Sequence, residues 1–220
     1  MSTVTVAARF CGPPGVANGG WLAGRLAAEV GAGPVAARLR RPTPLDRPLD
    51  LRHDGAAVEL LDGAELLARA EPADLDLDVP AAPAPRIAVA AALPPRTDHP
   101  VPDCSGCGPH RRPGDAVAAL LGPLPDRPDV WAGGWRPTAE LPSAGDEAAP
   151  EAVWAGLDRP SFQPLATGDG VPHAGSPSPA VDHRRVAARH AGSPRHPAMI
   201  NYGGDDQTRR TARAAGSRSV

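Results

Sequence analysis

Two Asp-Gly pairs, Asp54-Gly55 and Asp62-Gly63, sit between short apolar-rich runs and constrain this chain more than any other feature. Asp-Gly at such a junction favours a two-residue hairpin, because both central residues of that turn need positive φ. Residues 49–53, 56–61 and 64–71 therefore read as an antiparallel meander of strands. In 49–53, Leu49 and Leu51 alternate with Asp50 and Arg52. Upstream, in 35–40, Val35, Ala37 and Leu39 alternate with Arg38 and Arg40. Period-2 alternation is the pattern of a half-buried strand. Residues 3–10 (TVTVAARF) begin with alternating Thr and Val and read as a further strand.

A sheet with one apolar face needs a partner to cover it. After a Gly/Pro loop at 11–15, residues 18–30 supply one. Asn18 suits a helix N-cap, and Leu22, Leu26 and Val30 recur every four residues on one face. The other positions are mostly Ala and Gly, so neighbours can approach from several sides. The expected order is strand, buried helix, then a meander that wraps the helix.

The second half begins to repeat this order. Residues 72–113 are rich in Pro, Ala and Asp with little periodicity and read as a linker. Order resumes at 115–121 and 129–135. Pro150 then leads into a helix over Glu151–Asp158, with Val153, Trp154 and Leu157 on its apolar face and Pro160 at its end. The expected divisions are a first unit at 1–75, a linker at 76–113, a partial second unit at 114–165 and a tail at 166–220.

The second meander does not follow. The first 165 residues hold nineteen Leu, and the 55 residues after Leu165 hold none. Arg, His, Ser, Gly, Pro and Ala dominate there without alternation. Burial cannot offset the ordering entropy of such a segment. Two readings fit: a natural disordered tail, or a shift of reading frame near residue 166. The break falls inside a unit, which favours the second.

Net charge is −2, with all 23 basic residues Arg, so no global basic field draws nucleic acid or an anionic membrane. No apolar run is long enough to span a bilayer, and the N-terminus lacks a signal-peptide pattern. Three cysteines do not make a disulfide framework. A cytoplasmic location is the expectation.

The sequence from the first loop into the first helix, Asn18-Gly19-Gly20-Trp21-Leu22-Ala23-Gly24, resembles the double-hotdog acyl-CoA thioesterases, and Ala155-Gly156-Leu157-Asp158-Arg159 resembles the Leu-Asp motif of their second helix. Most similar is a branch of thioesterase-like proteins with Gly-Pro-Pro then Asn-Gly-Gly, a mid-chain Cys-x-x-Cys-Gly, and Trp-Ala-x-Leu-Asp. The match covers about residues 4–165. It implies an α+β hotdog fold, an antiparallel sheet wrapped round a central helix, with one complete hotdog and an incomplete second one. It also implies an acyl-CoA or related thioester as substrate, no cofactor, and a homo-oligomer formed through sheet edges. In the family a carboxylate, helped by polar side chains on later strands, activates water against the thioester carbonyl. Asp158 is the matching carboxylate, and the helper Gln and Thr belong to strands not recognisable after residue 165. Inactive binding or scaffolding is the rival expectation.

Each singled-out residue also has a plainer reading. Asn18, Gly19, Gly20 and Trp21 can line a thioester site with helix N–H groups as oxyanion donors, or can cap the helix and let it pack closely on the sheet. Asp158 can be a base among Trp154, Leu157 and Phe162, or an ordinary exposed acid at a helix C-terminus, where the dipole disfavours it. Cys104 and Cys107 have the spacing of a zinc knuckle, flanked by His99 and His110, yet no second Cys-x-x-Cys exists. Free thiols in a linker are the better reading. Trp131, Trp135 and Trp154 read as core anchors. In the single-hotdog enzymes an acid lies on the first helix about nine residues beyond the position of Asn18; Ala27 occupies it here, so the first half reads as the non-catalytic partner.

Overall fold

The computed structural model describes residues 2–74, 83–94, 99–112, 114–135, 137–144, 147–158, 185–187 and 198–201. The meander forms at the Asp-Gly pairs, but each turn closes one residue later than expected: Asp54 and Asp62 end their strands, and Gly55-Ala56 and Gly63-Ala64 make the two-residue turns. β3 (Leu49–Asp54), β4 (Ala57–Asp62) and β5 (Glu65–Pro72) are antiparallel neighbours, with Asp54 opposite Ala57 and Asp62 opposite Glu65 across the two turns. Gly55 and Gly63 hold φ of 60° and 58°, the left-handed region that glycine enters without a Cβ penalty. β1 (Ser2–Val4) pairs with β3, and β2 (Val35–Leu39) pairs with β5. The order across the sheet is thus β1-β3-β4-β5-β2.

α1 (Gly19–Val30) lies against this sheet. Leu22 and Leu26 are buried in one cluster with Val35, Ala37, Leu49, Leu51, Val58, Leu60, Ala68 and Ala70. Each such leucine withdrawn from water contributes about 1.5–3 kcal/mol. The strands supply alternate residues to that cluster, and the helix supplies residues four apart, as their periods require. The result is an α+β, hotdog arrangement, an antiparallel sheet around a central helix.

The second half adds β6 (Gly122–Leu124), β7 (Arg127–Gly134), the short pair β8 (Ser143–Ala144) and β9 (Glu147–Ala148), and the helix α3 (Pro150–Asp158). β6 and β7 are antiparallel. α3 lies against α1, and the glycines of α1 explain how close it comes. A Cβ at Gly20 would fall 2.5 Å from the Trp154 carbonyl oxygen, and one at Gly24 would fall 2.6 Å from Glu151 Cα. The close packing expected of these glycines therefore exists, but its partner is the second helix, while the leucine face of α1 meets the sheet. Trp135, Leu141, Ala152, Trp154 and Ala155 join the same core as Leu22 and Leu26.

Two expectations are corrected by local hydrogen bonding and packing. The first strand ends at Val4, not at residue 10, and Ala8–Phe10 form a single 3-10 turn. The Ala8 N–H donates to Asp46 Oδ1 at 2.8 Å and the Phe10 N–H to the Ala7 carbonyl at 2.9 Å, so neither donor is available to a ladder. The span read as linker also carries structure: α2 (Pro85–Ala91) packs Ala88 against Leu124, Val130 and Ala132. That helix has one buried residue, so it shows no apolar periodicity, and its order depends on contacts with a distant hairpin.

Within the segment read as a tail, β10 (Arg185–Ala187) pairs with β2 and β11 (Ala198–Asn201) pairs with β7. The remainder of 166–220, where disorder or a frame shift was expected, lies outside the described residues, as do Arg159, Pro160 and Phe162. No described helix is long and apolar enough to cross a membrane.

Candidate active site

The chain approaches α1 through a loop that fixes its first residue on several sides. The Gly12 N–H donates to the Val16 carbonyl at 2.8 Å, the Ala17 N–H to Thr43 at 2.8 Å and the Asn18 N–H to Phe10 at 2.8 Å. Phe10 meets Trp21 edge-to-face at 4.2 Å between ring centres, a geometry that aromatic quadrupoles favour. Asn18 is 2% exposed. Its Oδ1 accepts the Trp21 N–H at 2.8 Å, which is the expected N-cap.

The Asn18 side-chain amide connects this cap to the second half. Nδ2 donates to Asp158 Oδ2 at 3.0 Å. Asp158, the last residue of α3 and partly buried, thus lies at the N-terminal end of α1. A Cβ on Gly20 would stand 2.7 Å from Asp158 Cβ, and one on Gly19 would stand 4.0 Å from Oδ2. The sequence-level difficulty with Asp158, an acid at the unfavourable end of its own helix, has its counterpart here in the favourable positive end of the other. The first N–H groups of a helix have no intrahelical acceptor. The Trp21 N–H is satisfied by Asn18.

Sequence reasoning missed the third wall of the site. The loop Cys104–Gly108 docks onto the α1 entrance: the Ser105 N–H donates to the Cys11 carbonyl at 2.7 Å, and the Val117 N–H donates to the Ser105 carbonyl at 2.9 Å. Arg111 Nη2 donates to the Arg9 carbonyl at 2.7 Å. A Cβ on Gly106 would stand 3.3 Å from Asn18 Nδ2 and 3.5 Å from the Ala155 carbonyl oxygen. Cys104 is buried, and its Sγ lies 3.8 Å from Asn18 Nδ2. A hydrogen bond from the Cys107 thiol, with the backbone N–H groups of Gly106 and Cys107 and with Asn18, brings the Cys104 thiol down to about 6 against the opposing effect of burial. The sequence marked this loop as a Cys-x-x-Cys-Gly match and as a run of small residues, Cys-Ser-Gly-Cys-Gly, but tied it to no site.

A narrow crevice is lined by Phe10, Trp21, Ser105, Val117, Leu141, Glu151 and Ala155, among others. About 10 Å³ of it is open to the centre of a water molecule, room for about one water. Trp21 Nε1 and Ser105 Oγ are buried there without a hydrogen-bond partner among the described residues. For the zinc-knuckle alternative, no group of three or more His, Cys, Asp and Glu residues comes together among the described residues. Trp135 and Trp154 are buried core residues, and Trp131 lies on β7.

The candidate residues Asn18, Gly19, Gly20, Trp21 and Asp158 are therefore gathered at one point, where the N-terminus of α1 meets the C-terminus of α3. No family model and no curated protein matches the chain. Among solved structures, a protein provisionally named thioesterase II from Thermobifida fusca is 18% identical, with 70% of this chain and 67% of that one covered and a TM-score of 0.38. The tesB protein of Mycobacterium avium subsp. paratuberculosis is 15% identical, with 74% and 65% covered and a TM-score of 0.38. The chain thus spans about two thirds of the length of each.

Proposed function

We propose that this chain is an acyl-CoA thioesterase-like protein that hydrolyses acyl thioesters with Asp158 as the general base. One observation carries the reading: a carboxylate at the end of α3, 3.0 Å from the amide of Asn18, the residue that caps α1. The other support is the resemblance of the Asn-Gly-Gly and Leu-Asp motifs.

In this mechanism the Asn18 amide holds one carboxylate oxygen, and the other takes a proton from water as the water oxygen attacks the thioester carbonyl carbon. The carbonyl oxygen gains negative charge against the Gly19 and Gly20 N–H groups at the positive end of the helix. Collapse of the tetrahedral intermediate expels the thiolate and leaves the carboxylic acid. Asp158→Asn preserves an acceptor for the Asn18 amide while removing the base. It is expected to lower hydrolysis of medium- and long-chain acyl-CoA by about 10²- to 10⁴-fold, followed as release of the free acid. Undiminished turnover by Asp158→Asn would sink the mechanism.

The small size of the crevice favours a second reading, a hotdog protein that binds acyl thioesters or serves as a scaffold without turning them over. Tight acyl-CoA binding with no hydrolysis, measured by calorimetry, would support it. Absence of any acyl-CoA binding would sink both.

A further inference from the structure

The Cys104–Gly108 loop has a chemistry of its own that the thioester reading does not use. The Cys107 N–H donates to the Cys104 carbonyl at 3.3 Å, which closes a four-residue turn, and the Gly108 N–H bonds the same carbonyl at 2.7 Å. A turn of this kind brings the first and fourth Cα atoms within about 7 Å, the upper limit of the range a disulfide spans. The two thiols already face each other in a hydrogen bond. A Cβ on Gly108 would fall 2.5 Å from the Cys104 N, so the loop is held to this compact form by a residue without a side chain.

The partners of each sulfur divide the labour. Cys104 is buried, and its sulfur is surrounded by donors: the Gly106 and Cys107 N–H groups, the Cys107 thiol and Asn18 Nδ2. Those contacts favour its thiolate, the nucleophilic form. Cys107 is more open to solvent. Its Sγ lies 3.3 Å from His99 Nε2, while His99 Nδ1 accepts the Val101 N–H at 3.0 Å. A neutral ring that accepts at Nδ1 carries its proton on Nε2, so it points a donor at Cys107. Together the described residues offer two thiols and one imidazole, short of the four donors of a structural zinc site.

We propose that Cys104 and Cys107 form a reversible dithiol/disulfide pair that exchanges with low-molecular-weight disulfides. The half-buried Cys107, the more open of the two, gives up its proton to solvent and attacks one sulfur of the small disulfide, which releases one small thiolate and forms a mixed disulfide. The Cys104 thiolate then attacks the Cys107 sulfur, closes the internal disulfide and releases the second small thiolate. Overall the protein loses two hydrogens, and the small disulfide is reduced to two thiols. The pair stands whether or not the chain hydrolyses thioesters.

The full-length chain, reduced and freed of reductant, is incubated with glutathione disulfide, quenched in acid and alkylated with N-ethylmaleimide. Three accessible thiols under denaturing conditions are expected to fall to one, with Cys11 the residue still labelled. The tryptic peptide 97–111, which contains both Cys104 and Cys107, should be lighter by two hydrogens and regain both thiols on reduction with dithiothreitol. Cys107→Ser should retain all labelling at Cys104, because the initiating thiol is gone. Labelling of all three cysteines after treatment, a mixed disulfide at Cys107 that never closes, a bridge to Cys11, or purification with one equivalent of zinc bound to the pair would each overturn the proposal.

Discussion

Asn18 accepts a hydrogen bond at one end of its amide and donates at the other, and substitutions can separate the two roles. Asn18→Asp keeps the acceptor for the Trp21 N–H but puts a second carboxylate against Asp158 Oδ2 in place of a donor at 3.0 Å. Like charges at this distance disfavour the ionised pair. Asn18→Asp should therefore lower stability at neutral pH by about 1–3 kcal/mol in urea unfolding, with part of the loss regained on acidification. Asn18→Ala loses cap and donor together. If Asn18→Asp is as stable at pH 7 as the parent, the bond to Asp158 does not exist in solution. At Gly20 the prediction is steric. A methyl group there meets the Trp154 carbonyl at 2.5 Å, backbone that cannot rotate away. Gly20→Ala should cost about 1–3 kcal/mol by overpacking, although Ala is the better helix former by about 1 kcal/mol. A gain in melting temperature would refute the close α1–α3 contact. Both residues stood out in the sequence, Asn18 as a cap and Gly20 as a packing or site residue. Their common neighbour Asp158, 140 positions from Asn18, could be paired with them only through a family resemblance.

At the scale of elements, the meander shows how charge is arranged on a sheet whose other face is the core. Glu59 on the central strand β4 is 6% exposed and receives Arg52 Nη2 from β3 and Arg69 Nη1 from β5, both at 2.6 Å. Arg69 also bonds Asp54 at 2.8 Å. Hydrogen bonds from Arg52 and then Arg69 hold the Glu59 carboxyl below its ordinary value, against the effect of burial. A carboxyl whose value is lowered by folding binds fewer protons folded than unfolded, so its contribution is present above the unfolded glutamate range. That contribution is lost as pH falls through the folded value. Glu59→Gln should flatten the acid limb of the stability–pH curve and cost on the order of 1 kcal/mol at neutral pH. An acid limb identical to that of the parent protein would show that the cluster contributes nothing. The alternation in β2–β5 was legible because each of those strands meets the core on one face. α2 was not legible: with Ala88 as its one buried residue, it takes its order from a distant hairpin.

Across the whole molecule, one core joins what the sequence divides into two units. Leu22, Leu26 and Leu60 share a cluster with Val117, Trp135, Trp154 and Ala155. The glycine face of α1 is covered by α3, and the entrance of α1 is covered by the Cys104–Gly108 loop. A fragment ending at residue 75 would expose both faces. It should lose the cooperative thermal transition of the full chain, followed by circular dichroism, and a sharp two-state transition in that fragment would make the first hotdog self-sufficient. Association through sheet edges now has one edge occupied, since β2 pairs with Arg185–Ala187. By itself the sequence determined the order of the first half, a helix followed by a meander, and a four-residue leucine repeat set the face of the helix; the Asp-Gly pairs marked the two turns, which close one residue later on Gly55-Ala56 and Gly63-Ala64. Those signals are local, carried by residues a few positions apart. Only the tertiary structure decided that the glycines of α1 face α3, that a Cys-x-x-Cys loop closes the site, and that Asn18 meets Asp158. Such contacts join segments far apart in the chain, and a hydrogen bond across that separation leaves no period in the sequence to read.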